Sequence, residues 1–230
     1  MTDDLFAAQG FCAVPLFDPE TVRAARDDIA EQVDRVARAL YMPFEHSLPD
    51  VPVGDRLDRI AAAERSHASL LRVAICTDAH RGPRLTALAE SPALLETASR
   101  LAGGPIAGSI RRVRASIAAF PEHRHDWHSD VAIDDGTNCG RVRVTAWMPL
   151  GDAGPEDGGL ELVPGRRSAP FEHRRGDGFA IPEETLAGLP RVRPVCPAGT
   201  VLFLDRFTPH RTLPVAGAAR FALVIWFKAG

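Results

Sequence analysis

The rhythm of apolar and polar positions changes near residue 104. Ahead of that point, apolar residues recur every three or four positions, the spacing of an amphipathic helix. Val22, Ala25, Ile29, Val33, Val36, Ala37 and Leu40 keep this spacing after Asp18, which suits an N-cap, and Pro19, which suits a first helical turn. The pattern predicts helices over 18–40, 55–66 and 83–101, the last stopped by Gly103 and Gly104. A short strand precedes them at 10–17 (GFCAVPLF), and residues 41–54, with three prolines, read as a loop.

Beyond residue 104, strand-like runs at 108–120, 141–149, 159–163, 200–204 and 220–227 are set apart by Gly, Pro and Asp. In the first run, Arg112, Arg114 and Ser116 share one face and Val113, Ala115 and Ile117 the other. In the second, Arg143, Thr145 and Trp147 alternate with Val142, Val144 and Ala146. Such strands fit a solvated outer face, or a polar cavity whose apolar side packs on the helices. Helices followed by antiparallel-looking strands predict an α+β, mainly β architecture, a sandwich or barrel braced by N-terminal helices. Residues 1–230 are expected to form one domain, helical over about 18–104 with a strand core over about 105–230.

Composition narrows the partners. Apolar residues make up 45% and charged residues 25%, an ordinary folded mix. The net charge of −3 disfavours a nucleic-acid partner and an acidic membrane surface. Cys12, Cys76, Cys139 and Cys196 are scattered without a CxxC pair, which points to reduced thiols in the cytoplasm. The opening MTDDLFAAQG carries acid where a secretory leader carries base. The longest apolar run, 221–227, is seven residues, too short to span a bilayer. A small-molecule partner is expected, and oligomeric state has no sequence signal.

The densest chemistry is HRHDWHSD at 123–130. On a strand, His128 and Asp130 would point the same way and reach one ion. A third ligand from elsewhere would complete a two-histidine, one-carboxylate face with open positions, the arrangement that suits Fe(II) oxygen chemistry. Downstream, His210 follows the buried-looking run GTVLFLD, and ten residues later Arg220 opens the last strand. That pair can supply the third ligand and a guanidinium fork for a dicarboxylate.

WHSD (127–130), AWMPL (146–150), GGLELVPG (158–165), GTVLFLD (199–205), His210 and Arg220, with GFCAVPLFDPETV (10–22), together resemble the phytanoyl-CoA dioxygenase-like Fe(II)/2-oxoglutarate oxygenases. The resemblance implies a double-stranded β-helix, the cupin-like jelly roll, with N-terminal helices packed on the larger sheet. It implies that His128, Asp130 and His210 bind iron, and that Arg220 grips the far carboxylate of 2-oxoglutarate. Trp147 matches a tryptophan beside that cosubstrate, Thr212 could add a hydrogen bond to it, and Thr145 is grouped with these contacts. Arg72 falls about where a basic cosubstrate contact can arise. The chain departs from the pattern at Arg167, where a histidine often stands. The implied activity consumes O2 and 2-oxoglutarate, releases succinate and oxidises a substrate C–H bond. Halogenating relatives carry a small residue in place of Asp130, so hydroxylation, desaturation or oxidative cyclisation is implied here.

The substrate is read from the surroundings. His123 and His125 are expected at the cavity mouth, and one of Arg112 and Arg114 is expected to face the cavity. Trp226 reads first as core and second as substrate wall. Between 126 and 157 stand seven acids against two arginines. Asp134, Asp135, Glu156 and Asp157 are expected at the entrance, favouring a small polar or cationic molecule of the sugar or aminocyclitol kind. An amino acid or another small molecule is the alternative within the family. A cupin-type dioxygenase without cosubstrate, using the HxH of His123 and His125, and a non-catalytic 2-oxoglutarate-binding jelly roll are the rival readings.

Overall fold

The computed structural model describes residues 2–42, 50–132, 142–175 and 179–229. The first half is α1 (Thr2–Gln9), β1 (Phe11–Pro15), α2 (Pro19–Ala24), α3 (Arg26–Ala39), α4 (Val53–Ala63), α5 (Arg65–Asp78), α6 (Pro83–Ala89) and α7 (Pro92–Ala102). The second half is β2 (Ile106–Ser116), β3 (Val142–Pro149), β4 (Leu160–Leu162), β5 (Arg174–Arg175), β6 (Phe179–Ala180), β7 (Thr200–Asp205), β8 (His210–Thr212) and β9 (Arg220–Ala229).

Two predicted helices are each divided. Asp18 caps α2 by accepting from Thr21 N at 2.9 Å, but the helix breaks at Ala25 before α3 resumes. The expected helix over 83–101 breaks because Ser91 precedes Pro92, and a residue before proline is pushed out of the helical region. Ser91 is extended accordingly, with ψ 130°. Helix α1 and all but the first two residues of α5 lie outside the predicted elements, and α5 supplies a wall of the cavity described below.

The larger sheet is antiparallel, in the order β1-β7-β3-β9-β2. One of its faces packs on the helices. Val113, Ala146, Met148, Phe203, Leu223, Ile225 and Phe227 meet Ile29, Leu57, Leu71, Ile75 and Leu94 there. Fully burying each of the larger of these side chains stabilises the fold by about 1.5–3 kcal/mol. Asp28 on α3 ties α3 to α6, accepting from Leu85 N at 2.8 Å and from Arg84 Nη1 at 3.1 Å. The smaller sheet pairs β4 with β8, and single bridges add His128 beyond β8 and Val192 beyond β4. Leu160 and Leu162 of this sheet pack against Trp147, Leu202, Leu204, Val224 and Trp226 on the inner face of the larger one. The two sheets form the expected jelly roll, an α+β fold with its N-terminal helices on the larger sheet. The alternation expected in β3 fails at one end. A register shift between Val142 and Val144 turns Val142 to the inner face.

Candidate functional site

The inner faces of the two sheets enclose a cavity, and its chemistry begins in the backbone. His128 and His210 face each other across an antiparallel bridge and exchange both hydrogen bonds, at 3.0 and 2.8 Å. Their ring centroids are 4.2 Å apart. Each Nδ1 lies against a carbonyl, His128 on Asp126 O at 2.7 Å and His210 on Thr208 O at 3.0 Å. A carbonyl only accepts, so each Nδ1 carries the proton and each Nε2 keeps its lone pair. Asp130 Oδ2 stands 4.0 Å from His210 Nε2 and accepts from Thr145 Oγ1 at 2.6 Å. One ligand atom from each of the three residues lies within 4.8 Å of the others. The shared strand expected for His128 and Asp130 does not form: His128 makes an isolated bridge and Asp130 opens a 3-10 turn, Asp130–Ala132. The turn, not the pleat, brings the carboxylate round to the imidazoles.

Burial pushes the His128 imidazole well below its ordinary pKa, and His210 beside it acts in the same direction. Burial acts to raise Asp130. The flanking imidazoles of His210 and His128 and the Thr145 hydroxyl overcome it and hold the carboxyl below its ordinary range. A carboxylate beside two imidazole Nε2 atoms is a donor set that fits a divalent iron ion, with coordination positions left open.

Arg220 lies in the same cavity, and only 7% of it is exposed. Its Nη2 donates to Ser116 Oγ at 2.9 Å, while Nε and Nη1 are buried without a partner. The guanidinium sits 5.3 Å from the centre of the Trp147 ring, and burial lowers its pKa to about 10. A buried cation with unpaired donors is costly unless an anion meets it. Gly158 makes room for it: at φ 69° a side chain would be strained, and a Cβ there would stand 3.2 Å from Arg220 Nε and run into Val215. Thr145, Trp147 and Thr212 also line the cavity.

Of the two candidate arginines of β2, Arg114 lines the cavity and Arg112 is exposed. The Arg114 guanidinium lies 5.5 Å from the Trp226 ring centre. Trp226 is 4% exposed and lines the cavity, so it is core and wall at once; its indole N–H faces Asp130 without closing a hydrogen bond. His123, His125 and Arg72 of α5 line the cavity as well. Burial, with Arg114 nearby, lowers His125 to about 4, so it is neutral. Arg167 lies over the Phe171 ring at 4.3 Å, outside the cavity lining. Asp134 and Asp135 fall outside the described residues. Glu156 lines a different depression with Arg124, Arg193 and Arg211, and neither it nor Asp157 lines the cavity.

Sequence reasoning missed His173. Its Nε2 accepts from Ser129 N at 3.0 Å, and its Nδ1 donates to Phe171 O at 3.0 Å. It therefore holds the residue between His128 and Asp130. A loop histidine 44 positions away carries no local signal of this contact.

A double antiparallel sheet that holds two imidazoles and a carboxylate between its layers defines a metal-site jelly roll. Its kinship is closer than that: residues 6–222 match phytanoyl-CoA dioxygenase (PhyH), and the chain belongs to that family of 2-oxoglutarate-dependent dioxygenases. No curated protein matches it in sequence. Solved structures share the fold. The non-heme alpha ketoglutarate dependent carbocyclase SnoK from nogalamycin biosynthesis is 18% identical with a TM-score of 0.62, over 99% of this chain and 83% of its own. AviO1 from Streptomyces viridochromogenes is 18% identical with a TM-score of 0.60, over 99% and 93%. The epimerase SnoN in complex with Fe3+, alpha ketoglutarate and nogalamycin RO is 19% identical with a TM-score of 0.56, over 99% and 82%.

Proposed function

We propose that this chain is a Fe(II)- and 2-oxoglutarate-dependent oxygenase that oxidises a C–H bond of a small, polar secondary metabolite. One observation carries the reading: a buried guanidinium with two unpaired nitrogens opens into the same cavity as the His128–Asp130–His210 set. His128, Asp130 and His210 would hold iron, and Arg220, with Ser116, Trp147, Thr145 and Thr212 around it, would seat the distal carboxylate of 2-oxoglutarate. Bound iron and 2-oxoglutarate supply the power to reduce O2 and oxidise an unactivated C–H bond. The protein's own part is positional. The carbonyls of Asp126 and Thr208 keep each Nε2 free, Thr145 orients the Asp130 carboxyl, and the apolar walls Leu160, Leu204 and Val224 exclude water.

The relatives named for nogalamycin biosynthesis support a secondary-metabolite substrate and a role in antibiotic biosynthesis. A sugar- or aminocyclitol-like molecule fits the polar lining, and an amino-acid-like molecule is the second reading, favoured by Arg114. The cupin reading has less support, because His123 and His125 stand outside the three-ligand cluster. Helices and strands packed on one larger sheet support reading 1–230 as a single oxygenase domain. Among the described residues no helix is long and apolar enough to cross a membrane. The free thiols of Cys12 and Cys196 fit a reducing cytoplasm.

The experiment is succinate release in the presence of Fe(II), 2-oxoglutarate and O2, screened against a natural-product panel. Asp130→Ala should lose substrate oxidation and bind metal at least 10-fold more weakly. Calorimetry that finds unchanged metal affinity, together with unchanged turnover, would remove Asp130 from the site.

A further inference from the structure

We infer that Glu161 is a positioning residue for the metal site: from the outer face of the smaller sheet it sets, through Arg211 and Trp127, where His210 and His128 stand on the inner face. This deepens the proposed function and rests on it for the metal. The smaller sheet is built from short pieces, three residues in each of β4 and β8, with single bridges at its two margins. So little pairing specifies register weakly. A slip of one residue in β8 would turn His210 outward and Arg211 into the cavity.

Across the sheet, Val192, Leu162, His210 and His128 stand opposite one another in one row. All four face the inner layer, two in its apolar packing and two in the cavity lining. Side chains alternate along each piece, so the adjoining row of Arg193, Glu161, Arg211 and Trp127 points the other way. The four side chains of this outer row touch in succession. Arg193 Nε donates to Glu161 Oε1 at 2.7 Å. Arg211 reaches Oε2 from Nε at 2.7 Å and from Nη2 at 2.6 Å. The same Arg211 guanidinium lies 4.8 Å from the centre of the Trp127 ring.

The centre of this ladder is the buried member. Glu161 is 2% exposed, and both of its oxygens are committed, one to a guanidinium on either side. A slip would leave that carboxylate buried and unpaired, which is far costlier than losing an exposed ion pair. The Trp127 end is anchored as well. Its ring packs with Val163, Ile181 and Leu186, and its carbonyl accepts from Ile181 N at 2.6 Å. Glu183 ties a second guanidinium to the same place: it meets Arg191 Nη2 at 2.6 Å and Arg211 Nη1 at 3.4 Å, and Arg191 lies 5.2 Å from the Trp127 ring centre. Arg211 precedes no gap before its ligand, being the next residue after His210, and Trp127 stands next to His128. The carbonyls of Asp126 and Thr208 turn the two imidazoles, and the Glu161 ladder fixes the backbone from which they turn.

The test uses the full chain and two readouts. Metal affinity is titrated with Co(II), whose visible absorption reports its coordination. Hydrogen exchange at the amides of His128 and His210 is followed by NMR in the protein without metal. Glu161→Gln keeps the shape, removes the charge and aims a donor at a guanidinium. It should weaken Co(II) about 10-fold and speed exchange at the two histidine amides about 10-fold relative to the interior amides of β9. Glu161→Asp keeps the charge and should recover part of both effects. Arg211→Gln should resemble Glu161→Gln, and the double variant should fall within about 2-fold of either one, because both break the same contact. If Glu161→Gln does not fold, Glu161→Asp and Arg211→Gln carry the same comparison. Unchanged Co(II) affinity with exchange sped equally in β9 would make Glu161 a general stabiliser and overturn its positioning role. Full additivity of the two substitutions would overturn the route through Arg211. A wild-type protein that binds no Co(II) overturns the metal reading instead, and exchange at the two histidine amides still decides the ladder.

Discussion

Replacing Arg220 by leucine should separate cosubstrate binding from folding. The guanidinium leaves two buried nitrogens free, so two charge-assisted hydrogen bonds are available to a carboxylate. At about 1.5 kcal/mol each they amount to about 3 kcal/mol, or roughly 100-fold in affinity. Ligand-linked stability turns this into a melting shift. With metal present and 2-oxoglutarate at 100 times its wild-type Kd, the wild type gains about 2.7 kcal/mol. For a chain of this length that is about 5–10 °C. In the variant the same concentration only equals the weakened Kd, the gain is about 0.4 kcal/mol, and the shift falls to about 1 °C. The protein without ligand should melt within about 3 °C of wild type, because the lost Ser116 bond is offset by removing unpaired donors. Arg220→Lys keeps the charge without the fork and should restore part of the shift. The assay is thermal unfolding by differential scanning fluorimetry, with and without 2-oxoglutarate. A full shift in the leucine variant would refute the clamp, and a collapsed melting temperature without ligand would make Arg220 a structural residue.

His173 should act through the loop it holds. His173→Phe leaves Ser129 N–H without its acceptor and should weaken metal binding on the order of 10-fold, while His173→Gln, which keeps an acceptor, should recover part of it in a metal titration. His80 gives a pH signature away from the cavity. Burial, with Arg112 and Arg111 nearby, lowers its pKa to about 4. The unfolded state therefore binds more protons between about pH 6.5 and 4, and stability should fall as pH drops through that window. In His80→Gln this part of the acid limb should flatten in urea melts, and an unchanged limb would show that His80 is not the group responsible.

The legible parts of this fold were those with a short period. Alternation in β2 and β3 identified the face that carries Arg114, Ser116, Thr145 and Trp147, because side-chain direction in a strand depends only on parity. Helical spacing located α3 and the end of α7 at Gly103. What stayed hidden depends on distant chain. Arg72 sits on α5, beyond the predicted elements, and reaches the cavity only because α5 packs on β2. The Thr145 contact to Asp130 joins a strand to a turn 15 positions away. The acidic excess between 126 and 157 was a count along the sequence, and the fold sends Glu156 to a different depression.

The bridge between His128 and His210 bears on when the ion arrives. It joins segments about 80 residues apart, a loop closure whose entropy must be met before any metal ligand finds its partner. Backbone hydrogen bonds close it, and carbonyls already hold both rings, so sheet formation alone assembles most of the donor set. A zinc finger, by contrast, folds around its ion. The expected order is folding first and metal second, so protein stripped with a chelator should keep its fold and its cooperative melt. Such a donor set accepts several divalent ions, so metal availability in the compartment, together with site geometry, is expected to select the one it carries.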